Sequence, residues 1–304
     1  MEKISGFSLV RNGIKFEYPF LESWRSLLPL VDELVINVGV SEDSTLDVAR
    51  GFAQQEGQGK VKIIETHWPV DDLQKKKSGL ILSEQTNLIL DHCTHRWCFY
   101  LQADEVLHED DDGVIRQSIH SAMTKKCEAV VFEYQHFYGS YNVIQKTRSS
   151  YRREIRIIDR LCGARSVGDA QSFRKPNAAG ALTEKLTAVL SPARVFHYGW
   201  VRTPQAMKEK TVFMDQLYHG DPVDQTGLPH TGQNFKYKRF WGLREYQGTH
   251  PQVMKNRIQS KGWTWDLKSS PFVFTLTDFK KVVLDTLERF TGYRAFEFKN
   301  YKVR

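Results

Sequence analysis

Long hydrophobic runs are absent from this 304-residue sequence, and charges interrupt every apolar stretch. A bilayer-spanning helix needs about 20 consecutive apolar residues, so no segment is expected to cross a membrane. The opening Met1-Glu2-Lys3-Ile4-Ser5 runs straight into a strand-like segment and has no apolar core of a secretory leader. The expectation is a cytoplasmic protein. Cysteine is scarce: Cys93, Cys98, Cys127 and Cys162 form no C-x-x-C pair. His92 and His95 lie beside the first two, but a zinc site would need a second matching pair. Reduced, buried thiols are expected instead. No internal repeat or low-complexity tract occurs, which excludes solenoids and long disordered regions. No helix-turn-helix, zinc finger or RNP-type motif occurs either, so nucleic acid is not an expected partner.

What is present is a core-forming composition with an uneven charge. Hydrophobic residues make up 40% of the chain, enough for one large core with an appendage. The net charge of +7 sits at one end: residues 1–200 carry 25 Lys and Arg against 26 Asp and Glu, whereas residues 201–304 carry 18 against 10. The chain therefore reads as a main domain over 1–200 and a basic, aromatic-rich helical extension over 201–304. Such an extension fits an anionic partner, a diphosphate or an acidic lipid. Phe235, Tyr237, Phe240, Trp241, Trp263 and Trp265 are interleaved with Lys236, Lys238, Arg239 and Arg244. That pattern suits peripheral contact with an anionic membrane, or an aromatic side packed on the main domain.

The first 135 residues alternate strand and helix signals. Strands are expected at Ile4–Val10, Leu34–Val38, Val61–Glu65, Trp97–Leu101 and Ala129–Tyr134, with helices at Pro19–Leu28, Ser44–Gln54, Leu80–Leu90 and Val114–Met123. This order predicts an α/β fold, a mostly parallel twisted sheet with helices on both faces. Further strands are expected at Glu154–Ile158 and Arg194–Tyr198, and helices at Gln205–Tyr218, Val253–Ser260 and Phe279–Phe290. In the last, Phe279, Val283, Leu287 and Phe290 share one face. Residues 219–249 read as a loop, as does Lys75-Lys76-Lys77. Asp110-Asp111-Asp112 reads as the acidic start of a helix.

In open α/β sheets ligands bind beyond the carboxyl ends of the strands. Arg11-Asn12, Gly39–Thr45 and the Gln102-Ala103-Asp104-Glu105 turn fall there. Two adjacent acids directly after a buried strand need a divalent cation or hydrogen bonds to offset their burial; capping of the following helix is the plainer role for Asp104.

At these residues the sequence resembles the GT-A fold of family 2-type inverting glycosyltransferases: a strand ending in Ala103-Asp104-Glu105, preceded by the Ser41-Glu42-Asp43-Ser44-Thr45 loop. Phe137-Tyr138-Gly139-Ser140-Tyr141, Tyr151–Arg156, Gly168-Asp169-Ala170-Gln171, His197-Tyr198-Gly199-Trp200 and Gly248–Met254 are similar to a bacterial surface-glycan subgroup of that family, and the likeness covers nearly the whole chain. The resemblance implies a nucleoside-diphosphate sugar as donor and a glycan or glycolipid as acceptor. It implies a divalent cation held by Asp104, the last acid of the family's D-x-D motif, and by His197. A mixed carboxylate and imidazole set leans toward Mn²⁺ over Mg²⁺. Arg11, Asn12, Ser41, Asp43, Gln102 and Ala103 are the donor-binding candidates, with Arg156 and Lys208 or Lys210 bracing the diphosphate. Asp169 is the candidate general base, with Glu154 its competitor. Gln102 replaces the first D-x-D acid, and Val38-Gly39 replaces an acid that reads the base in many relatives, although uridine stays the favoured base. A nucleotidyltransferase and a degenerate relative that only binds nucleotide or glycan are the alternatives.

Overall fold

The computed structural model describes residues 2–72, 75, 78–148, 150–219, 235–294 and 296–304. Lys76, Lys77 and residues 220–234 of the expected 219–249 loop lie outside these residues.

Short apolar runs form the centre. Strands β1 (Ile4–Val10), β2 (Glu33–Gly39), β3 (Val61–Thr66) and β4 (Trp97–Tyr100) pair in parallel in the order β3-β2-β1-β4. Their side chains alternate between faces, as the period of a strand demands. Ile36, Val38, Trp97 and Phe99 meet Trp24, Phe52 and Ile119 on one face. Phe7, Val35, Cys98 and Tyr100 meet Ile81, Ile89 and Leu217 on the other. Helices α1 (Phe20–Leu27), α2 (Thr45–Gln55) and α4 (Asp112–Thr124) thus cover the first face, and α3 (Leu80–Asp91) and α5 (Pro204–His219) the second.

The sheet continues beyond β4 with mixed pairing. After β5 (Glu105–Leu107) come β6 (Ala129–Tyr138), β7 (Ser140–Gln145) and β8 (Arg153–Asp159). Strand β8 lies antiparallel between β4 and β6. The hairpin of β9 (Arg165–Val167) and β10 (Ser172–Pro176) carries Asp169 at its tip, and β11 (Leu182–Glu184) completes a three-stranded sheet. The long β12 (Leu186–Trp200) runs parallel to β6 and antiparallel to β5, which sets His197 opposite both Glu105 and His136.

Residues after 200 fold back on this frame. Strand β13 (Leu243–Glu245) joins the edge at β7, α6 (Lys255–Gln259) and α7 (Leu276–Thr291) follow, and β14 (Tyr301–Val303) pairs with β12. Phe235 and Tyr237 are buried with Tyr138, and Trp263 and Trp265 pack against them. These rings pack on the protein, the alternative to membrane contact that the sequence left open. Asp111 bonds Arg194 through both carboxylate oxygens at 2.9 and 3.0 Å, joining α4 to β12. Cys93, Cys98 and Cys127 are buried and all four cysteines are free. No described helix is long and apolar enough to cross a membrane.

Candidate active site

A cavity of about 450 Å³ opens where β1 and β4 end, between the sheet and α5. It is not the largest; one of about 690 Å³ lies beyond the β6–β7 edge and is walled partly by α7. The smaller cavity is the one that gathers the sequence candidates: Arg11, Gln102, Ala103, Asp104, Asp169 and His197 all line it.

Asp104 is its electrostatic centre. It is only 6% exposed, yet three groups surround its carboxylate. Lys210 Nζ donates to Oδ2 at 3.2 Å, Arg202 Nη2 lies 3.5 Å from Oδ2, and His197 Nε2 lies 3.7 Å from Oδ1. Burial disfavours the charged form, but Lys210, His197 and Arg202 outweigh it and hold the pKa well below the usual carboxylate range. Burial lowers His197 to about 4, despite the pull of Asp104, so the imidazole is neutral near pH 7. Its Nδ1 faces His136 Nδ1 at 2.9 Å, leaving Nε2 toward the cavity. Burial and Arg202 together bring Lys210 down to about 8. Gly199 leaves room for this arrangement: a Cβ there would sit 2.6 Å from the His197 ring and 3.1 Å from Asp104 Oδ2.

Asp169 reaches the cavity from the β9–β10 tip. Its Oδ2 accepts from Tyr218 at 3.0 Å and its Oδ1 from the Gln171 amide at 3.2 Å. Gly168 and Ala170 on either side have φ of 59° and 60°, a left-handed turn that turns the aspartate side chain out of the hairpin.

The remaining candidates lie elsewhere. Glu154 is buried under the site, where it accepts from Ser172 at 2.9 Å, Gln171 at 3.0 Å and Asn300 at 2.7 Å. It does not line the cavity. Arg156 is fully buried and bonds Glu105 through both nitrogens at 2.7 and 2.9 Å. Its guanidinium lies over Tyr100 and Tyr134, below the wall instead of in it. Asn12, Ser41 and Asp43 knit the loops after β1 and β2. The Asn12 amide donates to Ser41 Oγ at 2.9 Å, the Glu42 amide to Asn12 Oδ1 at 2.9 Å, and the Lys15 amide to Asp43 at 2.7 Å. They shape the rim and do not line the cavity.

Lys208 is absent from the wall, to which α5 contributes residues between Met207 and Tyr218, Lys210 among them. Arg202 and Tyr218 were not singled out by sequence reasoning, and no local pattern marks them; Glu105 was legible as the second of two adjacent acids, but not its pairing with Arg156.

Asp104 Oδ1 and His197 Nε2 fit a divalent cation: a carboxylate and a neutral imidazole face each other across 3.7 Å. Among the described residues no group of three or more such ligands exists, so a cation here must draw its other ligands from diphosphate oxygens or water.

No protein-family model and no curated protein sequence matches the chain. Among solved structures it is similar to S. aureus TarS, at 10% identity and a TM-score of 0.38, covering 70% of this chain and 39% of that one. It is also similar to S. aureus TarS residues 1–349 in complex with UDP-GlcNAc, at 14% identity and 0.31, covering 44% and 34%. A mannosyltransferase from Pyrobaculum calidifontis with GDP-Man and Mn²⁺ gives 15% identity and 0.34, covering 44% and 36%. The chain thus spans well under half of each of these chains. At such scores the function has to be read from the site itself.

Proposed function

We propose that this chain is a GT-A-type glycosyltransferase, which moves a sugar from a nucleoside-diphosphate donor to an acceptor hydroxyl with inversion. The observation that carries the reading is the placement of Asp104, Lys210, Arg202, His197 and Asp169 on or against one cavity at the carboxyl ends of a parallel sheet. The cations beside Asp104 provide positive potential for a diphosphate, and Asp169 supplies a proton acceptor on the hairpin side.

Lys210 and Arg202 would stabilise charge on the departing diphosphate without reorganisation, because burial has already fixed them. Asp169 would take the acceptor hydroxyl's proton as that oxygen bonds the anomeric carbon and the carbon–phosphate oxygen bond breaks. Tyr218 holds the carboxylate in place for this transfer. Asp104 and His197 would hold a divalent cation, Mn²⁺ before Mg²⁺, and such an ion neutralises the diphosphate's charge when bound. Uridine is the favoured base, a glycan or glycolipid of the bacterial surface the favoured acceptor, and the four free cysteines suit action in the cytoplasm.

Thermal denaturation with UDP, GDP and ADP, each with and without Mn²⁺, tests the donor site, since a ligand of the native state raises the melting temperature with its occupancy. The expected result is stabilisation by a nucleoside diphosphate that Mn²⁺ strengthens and Asp104→Ala removes. No response to any of them would overturn the proposal; a response without transfer of any sugar would make the chain a binding protein.

A further inference from the structure

Helix α7 is mounted with its apolar stripe outward. Leu276, Phe279, Val283, Leu287 and Phe290 follow steps of three and four, a stripe that in a globular protein packs on the core. All five are exposed, Leu276 by 95% and Phe290 by 86%. The opposite, polar side is the one that docks. Asp285 accepts from Arg148 at 3.1 Å and from Trp241 at 3.0 Å, and Glu288 accepts from Arg148 at 2.9 Å. Arg152 and Arg294 pair with Glu288 at 3.6 and 3.8 Å. Rolling the helix over would break these contacts, so the stripe is held outward. The apolar crest continues past the helix in Tyr293, Phe296 and Phe298, with Phe296 exposed by 90%.

Charge is sorted the same way. Asp278, Asp285, Glu288 and Glu297, the carboxylates of residues 272–304, are all bonded or paired within the protein. Lys280, Lys299 and Lys302 remain exposed. An exposed apolar crest of this extent marks an interaction surface. Phe and Leu on one side with lysines at the rim are the composition of helices that lie in a membrane interface.

We propose that α7 and the segment to Phe298 form an interfacial anchor, lying flat on an anionic lipid surface with the crest inserted and the lysines against the headgroups. A fluid acyl layer accepts side chains that stand almost free of their own neighbours. A second copy would set the same lysines against one another across a twofold axis, with no free carboxylate of the segment to answer them. The surface lies apart from the cavity of Asp104 and the inference does not depend on glycosyl transfer. Because Phe272, Asp285 and Glu288 also wall the 690 Å³ cavity, docking would bring that cavity to the membrane plane.

Flotation of the full chain with vesicles of phosphatidylcholine, alone or mixed with phosphatidylglycerol, tests this. Binding is expected only with phosphatidylglycerol, weakening as salt rises. Phe279→Ser with Phe290→Ser should reduce partitioning about 100-fold, roughly tenfold for each inserted ring, while the melting temperature and its response to nucleoside diphosphate stay unchanged. Should that pair misfold, Leu276→Ser with Leu287→Ser replaces it. Equal binding to both vesicle types, or unchanged binding by the serine variants, overturns the proposal. So does a wild-type dimer that floats with neither vesicle and that the serine variants convert to monomer, which would assign the face to a second copy.

Discussion

Replacing Arg156 by Met separates two roles for that residue, a brace for diphosphate and a strut of the fold. The side chain is fully buried, with its two hydrogen bonds to Glu105 at 2.7 and 2.9 Å and two more to the carbonyls of Ile155 and Gln171. Burial alone would lower its pKa, but Glu105 more than compensates and holds it well above its ordinary value. Arg156→Met leaves the Glu105 carboxyl buried and, among the described residues, bonded by Tyr134 at 2.8 Å and the Gln102 amide at 3.1 Å. Breaking a buried pair on one side costs about 3–5 kcal/mol. At about 2–4 °C per kcal/mol for a chain near this size, the melting temperature should fall by on the order of 10 °C.

Glu105→Gln alone should cost a similar amount, because Arg156 is then the orphan. The double variant removes both charges and keeps an acceptor for Tyr134, so its loss should be about 1–2 kcal/mol. The coupling energy from denaturant titration is then at least about 4 kcal/mol, large for two residues in contact. Additive single effects, or an Arg156→Met protein that melts normally yet no longer responds to nucleoside diphosphate, would refute the structural assignment and return Arg156 to the donor.

Three further outcomes follow from the geometry. Gly199→Ala should displace the His197 ring, because its Cβ would sit 2.6 Å from it; Mn²⁺-dependent stabilisation by nucleoside diphosphate should vanish in a thermal-shift assay while the fold persists. Asp169→Asn keeps its shape and cannot take a proton, so transfer should fall about 10²–10⁴-fold with donor binding intact. Glu33 is depressed from 4.5 to about 2, because Lys62, Ser5 and Thr94 outweigh its burial. Its stabilisation is therefore present above pH 4.5 and lost as pH falls toward 2. Discounted for the solvent around Lys62, it is about 2 kcal/mol, so the stability gap between wild type and Glu33→Gln should narrow below pH 4.5 in acid titrations.

The parallel half of the sheet was legible because β1, β2 and β4 are short runs buried on both faces, and β1 spans Ile4–Val10 as its pattern requires. Strand β12 was legible only over Arg194–Tyr198, although it begins at Leu186. The register slips between Leu190 and Arg194, around Pro192, and a proline that cannot donate to the ladder breaks the alternation at a bulge. The periodicity of α7 predicted a helix but not its orientation, since contacts to Arg148 and Arg152 from 136 to 140 positions away decide which side docks. The site shows the same division. Asp104 and His197 were legible through motif resemblance. Arg202 was not, nor was the pairing of Glu105 with Arg156, because such partners arrive from distant elements and leave no trace in local spacing.

The Gln102–Glu105 turn explains why the candidate site and a fully buried ion pair occur side by side. As β4 gives way to β5, consecutive carboxylates point to opposite sides. Asp104 faces the cavity and its cations, whereas Glu105 faces Arg156 and Tyr134 inside the sheet. The inward pair anchors β8 beneath the turn. The pairing of β12 with β5 places His197 opposite Glu105, and the Tyr198 amide donates to the Asp104 carbonyl at 2.8 Å. The separation of Asp104 and His197 is therefore set by backbone register, while Lys210 approaches from α5, which also supplies Tyr218 to Asp169. A shift of α5 would move Lys210 and Tyr218 together, whereas Asp104 and His197 would stay with the sheet.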